Sequence, residues 1–188
     1  MSQRFEKITT PIAGLFRIER TPIRDSRGFF SRFYCKNNFK QLGLESSIAQ
    51  MNHTLTEKEG AVRGLHFQHP PHSEVKLVTC LTGEIWDVAV DLRANSPTFL
   101  QWHAERLSEE NQAALYIPQG CAHGFQTLTD NCQLLYLHSD NYHPDAEAGI
   151  SPTDAKLSIS WPQCISEISE RDKNHPPIDN NFTGINIR

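Results

Sequence analysis

The stretch Arg63-Gly64-Leu65-His66-Phe67-Gln68, with Lys76-Leu77 soon after it, sets an imidazole between two cations. Gln50 and Asn52 stand just upstream. Histidine ionises near pH 6.5 when unperturbed, which makes His66 a natural general base. The alternative for His66 is a core histidine satisfied by a backbone carbonyl. Lys76 interrupts an apolar run over residues 75–81. It either snorkels to solvent or points into a pocket, and its neighbours Arg63 and His66 favour the pocket. Tyr136 carries a phenol with an ordinary pKa of about 10, a competent proton donor, or else a core hydroxyl with a partner. Arg27 follows Asp25-Ser26 and precedes Gly28-Phe29-Phe30, where a planar guanidinium can meet a phosphate from a turn. Asp154 sits in a polar segment and reads, by itself, as a solvated carboxylate. Together these residue types suit a pocket that binds an anionic, oxygen-rich ligand and moves a proton.

The elements that must hold them are short. Runs of five to eight residues are separated by Gly, Pro, Asn and Asp clusters, the pattern of an antiparallel sandwich or barrel. Strands are predicted over residues 12–18, 29–34, 61–67, 75–81, 84–92, 100–107, 114–117, 124–128 and 132–138. Alternation is clearest in two of them. Trp86, Val88, Val90 and Leu92 share one face, with Asp87 and Asp91 opposite. Cys132, Leu134, Tyr136 and His138 share a face, with Leu135 and Leu137 opposite. Thr82-Gly83 reads as a hairpin turn. A short helix is predicted over 37–42, capped by Asn37 and ended by Gly43, with a single turn at 108–111. The polar tail from about residue 163 reads as one or two helical turns at 165–171, then an extended surface segment.

The 188 residues suggest one domain spanning 1–188. With 18 basic and 22 acidic residues the net charge is -4, which argues against broad nucleic-acid or membrane-surface binding. No apolar run is long enough to span a bilayer, and the N-terminus lacks an apolar signal core. Five cysteines without a C-x-x-C pair read as reduced, mostly buried thiols in a cytoplasmic protein.

Pro118-x-Gly120-x-x-His123 resembles the second motif of cupin barrels, whose histidine faces the barrel interior. A metal there normally needs His-x-His in the first motif. Here that motif offers His66-Phe67-Gln68, and an amide is a poor ligand, so no metal is expected.

The ordered segments Asp25-x-Arg27-Gly28-Phe29-Phe30, Gln50-x-Asn52, Arg63-Gly64-Leu65-His66-x-Gln68, Lys76-Leu77-Val78, Gly83-Glu84, Asp87 to Arg93, Ser96-Pro97-Thr98, Ile117-Pro118 to Phe125, Tyr136, Glu147 and Ile159-x-Trp161-Pro162 resemble the dTDP-4-dehydrorhamnose 3,5-epimerases. The resemblance runs from about Pro11 to Pro162. It implies an all-β cupin, a double-stranded β-helix jelly roll with short peripheral helices. It implies a cofactor-independent epimerase that inverts C3 and/or C5 of a nucleotide-linked 4-keto-6-deoxyhexose. In that family pattern His66 is the base, Asp154 its paired carboxylate, Tyr136 the acid on the opposite face, and Lys76 the cation near the keto oxygen. Arg27, Gln50, Asn52, Arg63, His123, Tyr142 and Glu147 match substrate contacts. A homodimer is also implied, the N-terminal segment of one subunit completing the other's site. Arg32, Pro152, Thr153 and Ala155 depart from the family pattern, so the nucleotide base is left open to CDP or GDP sugars beside dTDP. A metal-dependent cupin using His66 and His123, or a binding module without catalysis, are the competing readings.

Overall fold

The computed structural model describes residues 4–44 and 47–187; the first three residues of the polar N-terminus lie outside them. The chain folds into two six-stranded sheets facing each other, with a small hairpin beside them. The first sheet contains β1 (Phe5–Thr9), β2 (Phe16–Arg20), β5 (Gln50–Thr56), β7 (Lys76–Thr82), β10 (Ala113–Ile117) and β12 (Cys132–His138), in the order β1-β2-β10-β7-β12-β5. The second contains β6 (Ala61–Gln68), β8 (Glu84–Asp91), β9 (Trp102–Ser108), β11 (Cys121–Thr127) and β13 (Glu147–Gly149), in the order β13-β6-β11-β8-β9. Its sixth strand, β14 (Glu167–Ile168), pairs with β6 in parallel. The hairpin is β3 (Ile23–Asp25) with β4 (Gly28–Phe30). Two short helices, α1 (Lys36–Gln41) and α2 (Glu170–Lys173), lie outside the sheets. This is the all-β jelly roll that the family resemblance implied.

The two alternating runs pack as their periodicity requires. Val88 and Val90 of β8, with Leu92 just past its end, join one apolar cluster outside the barrel, while Ile85 and Ala89 join the cluster within it. Cys132 and Leu134 of β12 point inward and Leu137 packs on the opposite face. The inner cluster, built on Val78, Leu107, Leu115 and Phe125, closes one end of the barrel.

Along the inward faces the residues then change character. On β12 the inward face reads Cys132, Leu134, Tyr136, His138. Its antiparallel neighbour β7 reads Cys80, Val78, Lys76 beside it, because the register pairs Leu134 with Cys80, Tyr136 with Val78 and His138 with Lys76. Across the barrel, β11 and β6 set His123 opposite His66. Two apolar rungs are thus followed by polar rungs at the same end of both sheets. Hydrophobic burial holds one half of the barrel, and that half supports a polar hollow in the other.

Gly64 makes that close pairing possible. Its φ is +120°, and a Cβ there would lie 2.6 Å from the Gly124 Cα. The backbone that approaches Gly64 is therefore that of β11.

Several predicted elements shift. Residues 12–18 hold only the start of β2; β1, β3, β5, β13 and β14 were not foreseen from alternation. The strand predicted over 124–128 begins earlier, at Cys121. Asn37 does not cap α1: the N-cap is Cys35, with no side-chain hydrogen bond. The tail is not a surface segment throughout. Ile178 and Ile185 are buried in the outer cluster, and α2 is docked against β6. Three of the five free thiols, Cys80, Cys121 and Cys132, are buried. Among the described residues no helix is long and apolar enough to cross a membrane.

Candidate active site

A cavity of about 220 Å³ opens at the polar end of the barrel. Nine of the predicted site residues line it: Gln50, Asn52, Arg63, His66, Lys76, His123, Tyr136, Tyr142 and Glu147. His66 comes from β6 in one sheet and Tyr136 from β12 in the other, so imidazole and phenol face a common space from opposite walls.

His66 is not a core histidine bound to a carbonyl. Its Nε2 lies 2.7 Å from Asp172 Oδ1, and the Asp172 Oδ2 accepts the Gly64 N–H at 3.0 Å. Asp172 is 3 % exposed. Burial by itself would raise its pKa, but the His66 contact and the Gly64 amide outweigh this and hold the carboxyl at about 2. The Nε2–H therefore donates to a carboxylate, which leaves Nδ1 as the basic nitrogen. Arg171 Nη2 stands 3.0 Å from the same Nε2. One nitrogen cannot donate and accept at once, and the shorter, charge-assisted contact to Asp172 takes it. The guanidinium is held instead by Glu147, at 3.1 Å and 3.2 Å.

The expected pairing of His66 with Asp154 is corrected here. Asp154 is buried away from His66 and accepts the Lys156 and Ile178 backbone N–H groups, each at 2.8 Å. Its work is to pin the C-terminal tail. Pro152, Thr153 and Ala155 consequently flank a structural carboxylate and not the partner of His66. Sequence reasoning missed Asp172 because the tail was read as surface. A signal was present: Ser169-x-x-Asp172 is a helix-start pattern, and the Ser169 Oγ accepts the Asp172 N–H at 3.1 Å.

Arg27 is the other departure. It does not line the cavity; its guanidinium is 87 % exposed on the β3–β4 hairpin and pairs with Asp25 at 2.6 Å.

Lys76 points inward and is 7 % exposed, so the snorkelling alternative fails. Its Nζ donates to the His66 carbonyl at 3.1 Å and pairs with Glu74 at 3.2 Å. Glu74 was not foreseen. Burial opposes its ionisation, but His138 and Lys76 win and lower its pKa. The His138 Nδ1–H donates to Glu74 at 2.9 Å, while Asn52 Nδ2 donates to His138 Nε2 at 3.4 Å. At the floor, His123 Nε2 meets Asp87 Oδ1 at 2.7 Å. Complete burial raises the Asp87 pKa, against the pull of His123 and Lys76, and its Oδ2 has no hydrogen-bond partner among the described residues. Tyr136 stacks on His138 and meets His123 edge-on. Burial, reinforced by the Asp87 charge, pushes the Tyr136 phenol far above its ordinary 10, against the pull of Arg63. The phenol thus keeps its proton at neutral pH.

Asp172 and Asp91 set an acid limit on stability. Arg93, Ser96 and Thr98 overcome burial to hold Asp91 at about 2 as well. A carboxyl whose pKa is lower in the folded state stabilises above its ordinary value of 3.8 and loses that contribution as pH falls through about 2. The urea midpoint is therefore expected to fall steeply between pH 4 and pH 2, and less steeply in Asp172→Asn. A midpoint flat across that window in the parent protein would contradict these pairings.

The family model described as dTDP-4-dehydrorhamnose 3,5-epimerase matches residues 9–180. The chain belongs to the dTDP-4-dehydrorhamnose 3,5-epimerase family. As a member of it, the protein is a carbohydrate epimerase, an isomerase. A dTDP-4-dehydrorhamnose 3,5-epimerase of Methanothermobacter thermautotrophicus is 40 % identical over 180 residues, covering 94 % of this chain and 96 % of the relative. The crystal structure of the dTDP-4-dehydrorhamnose 3,5-epimerase from Elizabethkingia anophelis superposes with a TM-score of 0.89 at 36 % identity, covering 95 % of this chain and 99 % of that one. The Legionella pneumophila epimerase, solved in complex with dTDP-4-keto-L-rhamnose, gives a TM-score of 0.89 at 35 % identity, covering 98 % and 100 %. The epimerase family signature thus extends past Pro162 to the segment that carries Asp172.

Proposed function

We propose that this epimerase converts dTDP-4-dehydro-6-deoxyglucose to dTDP-4-dehydrorhamnose by inverting C3 and C5, with His66 as base and Tyr136 as acid. The observation that carries the reading is the placement of His66 and Tyr136 on opposite walls of one cavity, with Lys76 between the sheets. A 4-keto group acidifies the hydrogens on its neighbouring carbons. His66 Nδ1 takes one of them, and the C–H electron pair becomes an enolate. Lys76 stabilises the oxyanion where it forms. Tyr136 delivers its proton to the opposite face of the same carbon, which inverts it. Solvent then removes the proton from His66 and restores the phenol. Asp172 orients the imidazole and stabilises its charged form. Each positioned acid or base contributes roughly 10²–10⁴ in rate.

The nucleotide has a place to go. Arg63 and His66 separate the cavity from a second hollow of about 530 Å³, whose lining includes Lys58 and Arg171. Glu57, Glu167 and Asp172 line it too, and Lys58 pairs with Glu167 at 3.3 Å, so a diphosphate bound here would take Lys58 and Arg171 from their carboxylate partners. Arg27, outside the cavity of its own chain, fits the expected homodimer in which the N-terminal segment of one subunit completes the other's site, the β3–β4 hairpin being the part of it that would carry Arg27 across. Phe29 and Phe30 on that hairpin are 56 % and 62 % exposed, and Met51 on the edge strand β5 is 65 % exposed. An exchanged hairpin would cover such surface. A cytoplasmic location follows from the substrate class.

The test is incubation with the 4-keto sugar nucleotide in heavy water. Deuterium at C3 and C5 with formation of the rhamno product is expected. Deuterium at one carbon only restricts the reaction to that centre, and no exchange refutes the epimerase reading. In parallel, dTDP is expected to raise the melting temperature more than CDP, GDP or UDP at equal concentration. A larger rise with one of the others reassigns the base.

A further inference from the structure

Two connections meet at the rim of the barrel, outside the cavity. One joins β6 to β7 and carries His69 and His72; the other joins β12 to β13 and carries Asp140 and His143. The imidazoles of His72 and His143 stack with centroids 3.4 Å apart and planes at 23°. His72 Nδ1 is 3.4 Å from Asp140 Oδ2. One ligand atom from each of the three residues lies within 4.8 Å of the other two, and all three are half-buried. The hollow beside them, about 260 Å³, is walled by His69, Pro70, Pro71 and Pro144.

We propose that His72, Asp140 and His143 bind one borderline divalent transition-metal ion of the zinc class, which clips the two connections together. Two nitrogens and one carboxylate oxygen are a donor set for zinc, nickel or cobalt and a poor one for calcium or magnesium. Water completes the coordination of a three-ligand site.

The backbone around the site is already in place. Gln68 Nε2 donates to the His72 carbonyl at 3.0 Å and to the Asn141 carbonyl at 3.1 Å, while its Oε1 accepts the His143 N–H at 2.6 Å. The buried amide holds the two connections in register. The rings lie almost parallel, so their lone pairs run side by side. Capture of an ion turns a ring about its side-chain torsions and leaves the backbone where it is. The second connection also carries Tyr142 and leads into Glu147, both on the cavity wall. Clipping the connections orders that wall.

A second group of three ligands, His66, Asp172 and His175, lies in the active site. It is the weaker candidate. The Asp172 oxygens are engaged by His66 and Gly64, and the Arg171 guanidinium stands 3.0 Å from His66 Nε2, so an incoming dication meets a fixed positive charge.

The test uses the metal-stripped full chain titrated with zinc by calorimetry and with cobalt by visible spectroscopy. One ion per chain, cobalt ligand-field bands and a raised melting temperature are expected. His143→Ala and Asp140→Asn should each weaken zinc about tenfold or more, with epimerisation in metal-free buffer close to that of the parent. Three results overturn the proposal: no binding at millimolar zinc, binding unchanged in both variants, or binding lost only in His175→Ala, which would move the ion to the active site.

Discussion

Asp172→Asn is expected to lower turnover about 10²–10⁴-fold with little change in the Michaelis constant, whereas Asp154→Ala keeps turnover within a few-fold of the parent. The two carboxylates do different work. Asp172 accepts the His66 Nε2–H and so keeps the lone pair on Nδ1, the nitrogen proposed to take the proton. An asparagine either turns its amide N–H toward His66, which favours the wrong tautomer, or offers a weaker neutral acceptor that no longer stabilises the imidazolium. Since Asp172 acts through the imidazole and not on the substrate, the loss falls on kcat. Asp154→Ala instead strands the buried Ile178 N–H and the partly buried Lys156 N–H that its carboxylate accepts. That variant should lose about 1–3 kcal/mol of stability, read from a denaturant midpoint. A pair of results the other way round, with Asp154 controlling turnover and Asp172 only stability, would return the base's partner to Asp154.

Tyr136→Phe is expected to separate exchange from inversion. The ring packs between His123 and His138, and phenylalanine preserves that contact. His66 and Lys76 are untouched, so the enolate still forms. The captured proton exchanges with solvent on the imidazole and returns to the face it left. Recovered substrate should therefore carry deuterium from heavy water while product formation falls about 10²–10⁴-fold. The parent phenol is suited to the acid role because burial and the Asp87 charge keep it protonated. Inversion at the parental rate would remove Tyr136 from the mechanism. Loss of exchange along with inversion would make it the base.

Much of this protein was legible in its sequence. The alternation in 84–92 and 132–138 placed Tyr136 on an inward face, because a strand's side chains have a period of two and one face must be buried. The clustering of Arg63, His66 and Lys76 marked a pocket, since three cations seldom serve packing. The ordered motifs identified the family. Edge and connecting elements were harder to read. β5, with exposed Met51 and Leu55, carries no alternating apolar signal, and β14 is two residues long.

The tertiary structure alone decided which carboxylate lies against His66. Asp154 and Asp172 lie in similar polar segments, and local pattern cannot rank them. The choice is made by β14, which adds in parallel to β6 and pairs Glu167 with Ala61 and Ile168 with Val62. That pairing carries α2 to the back of His66, across 106 residues of chain. The same is true of His66 opposite His123, of His138 beside Lys76, and of the two histidines and the aspartate at the rim. Side-chain type is written residue by residue, but adjacency between strands is set by register. Register depends on the summed burial of both sheets, a quantity that no single segment contains.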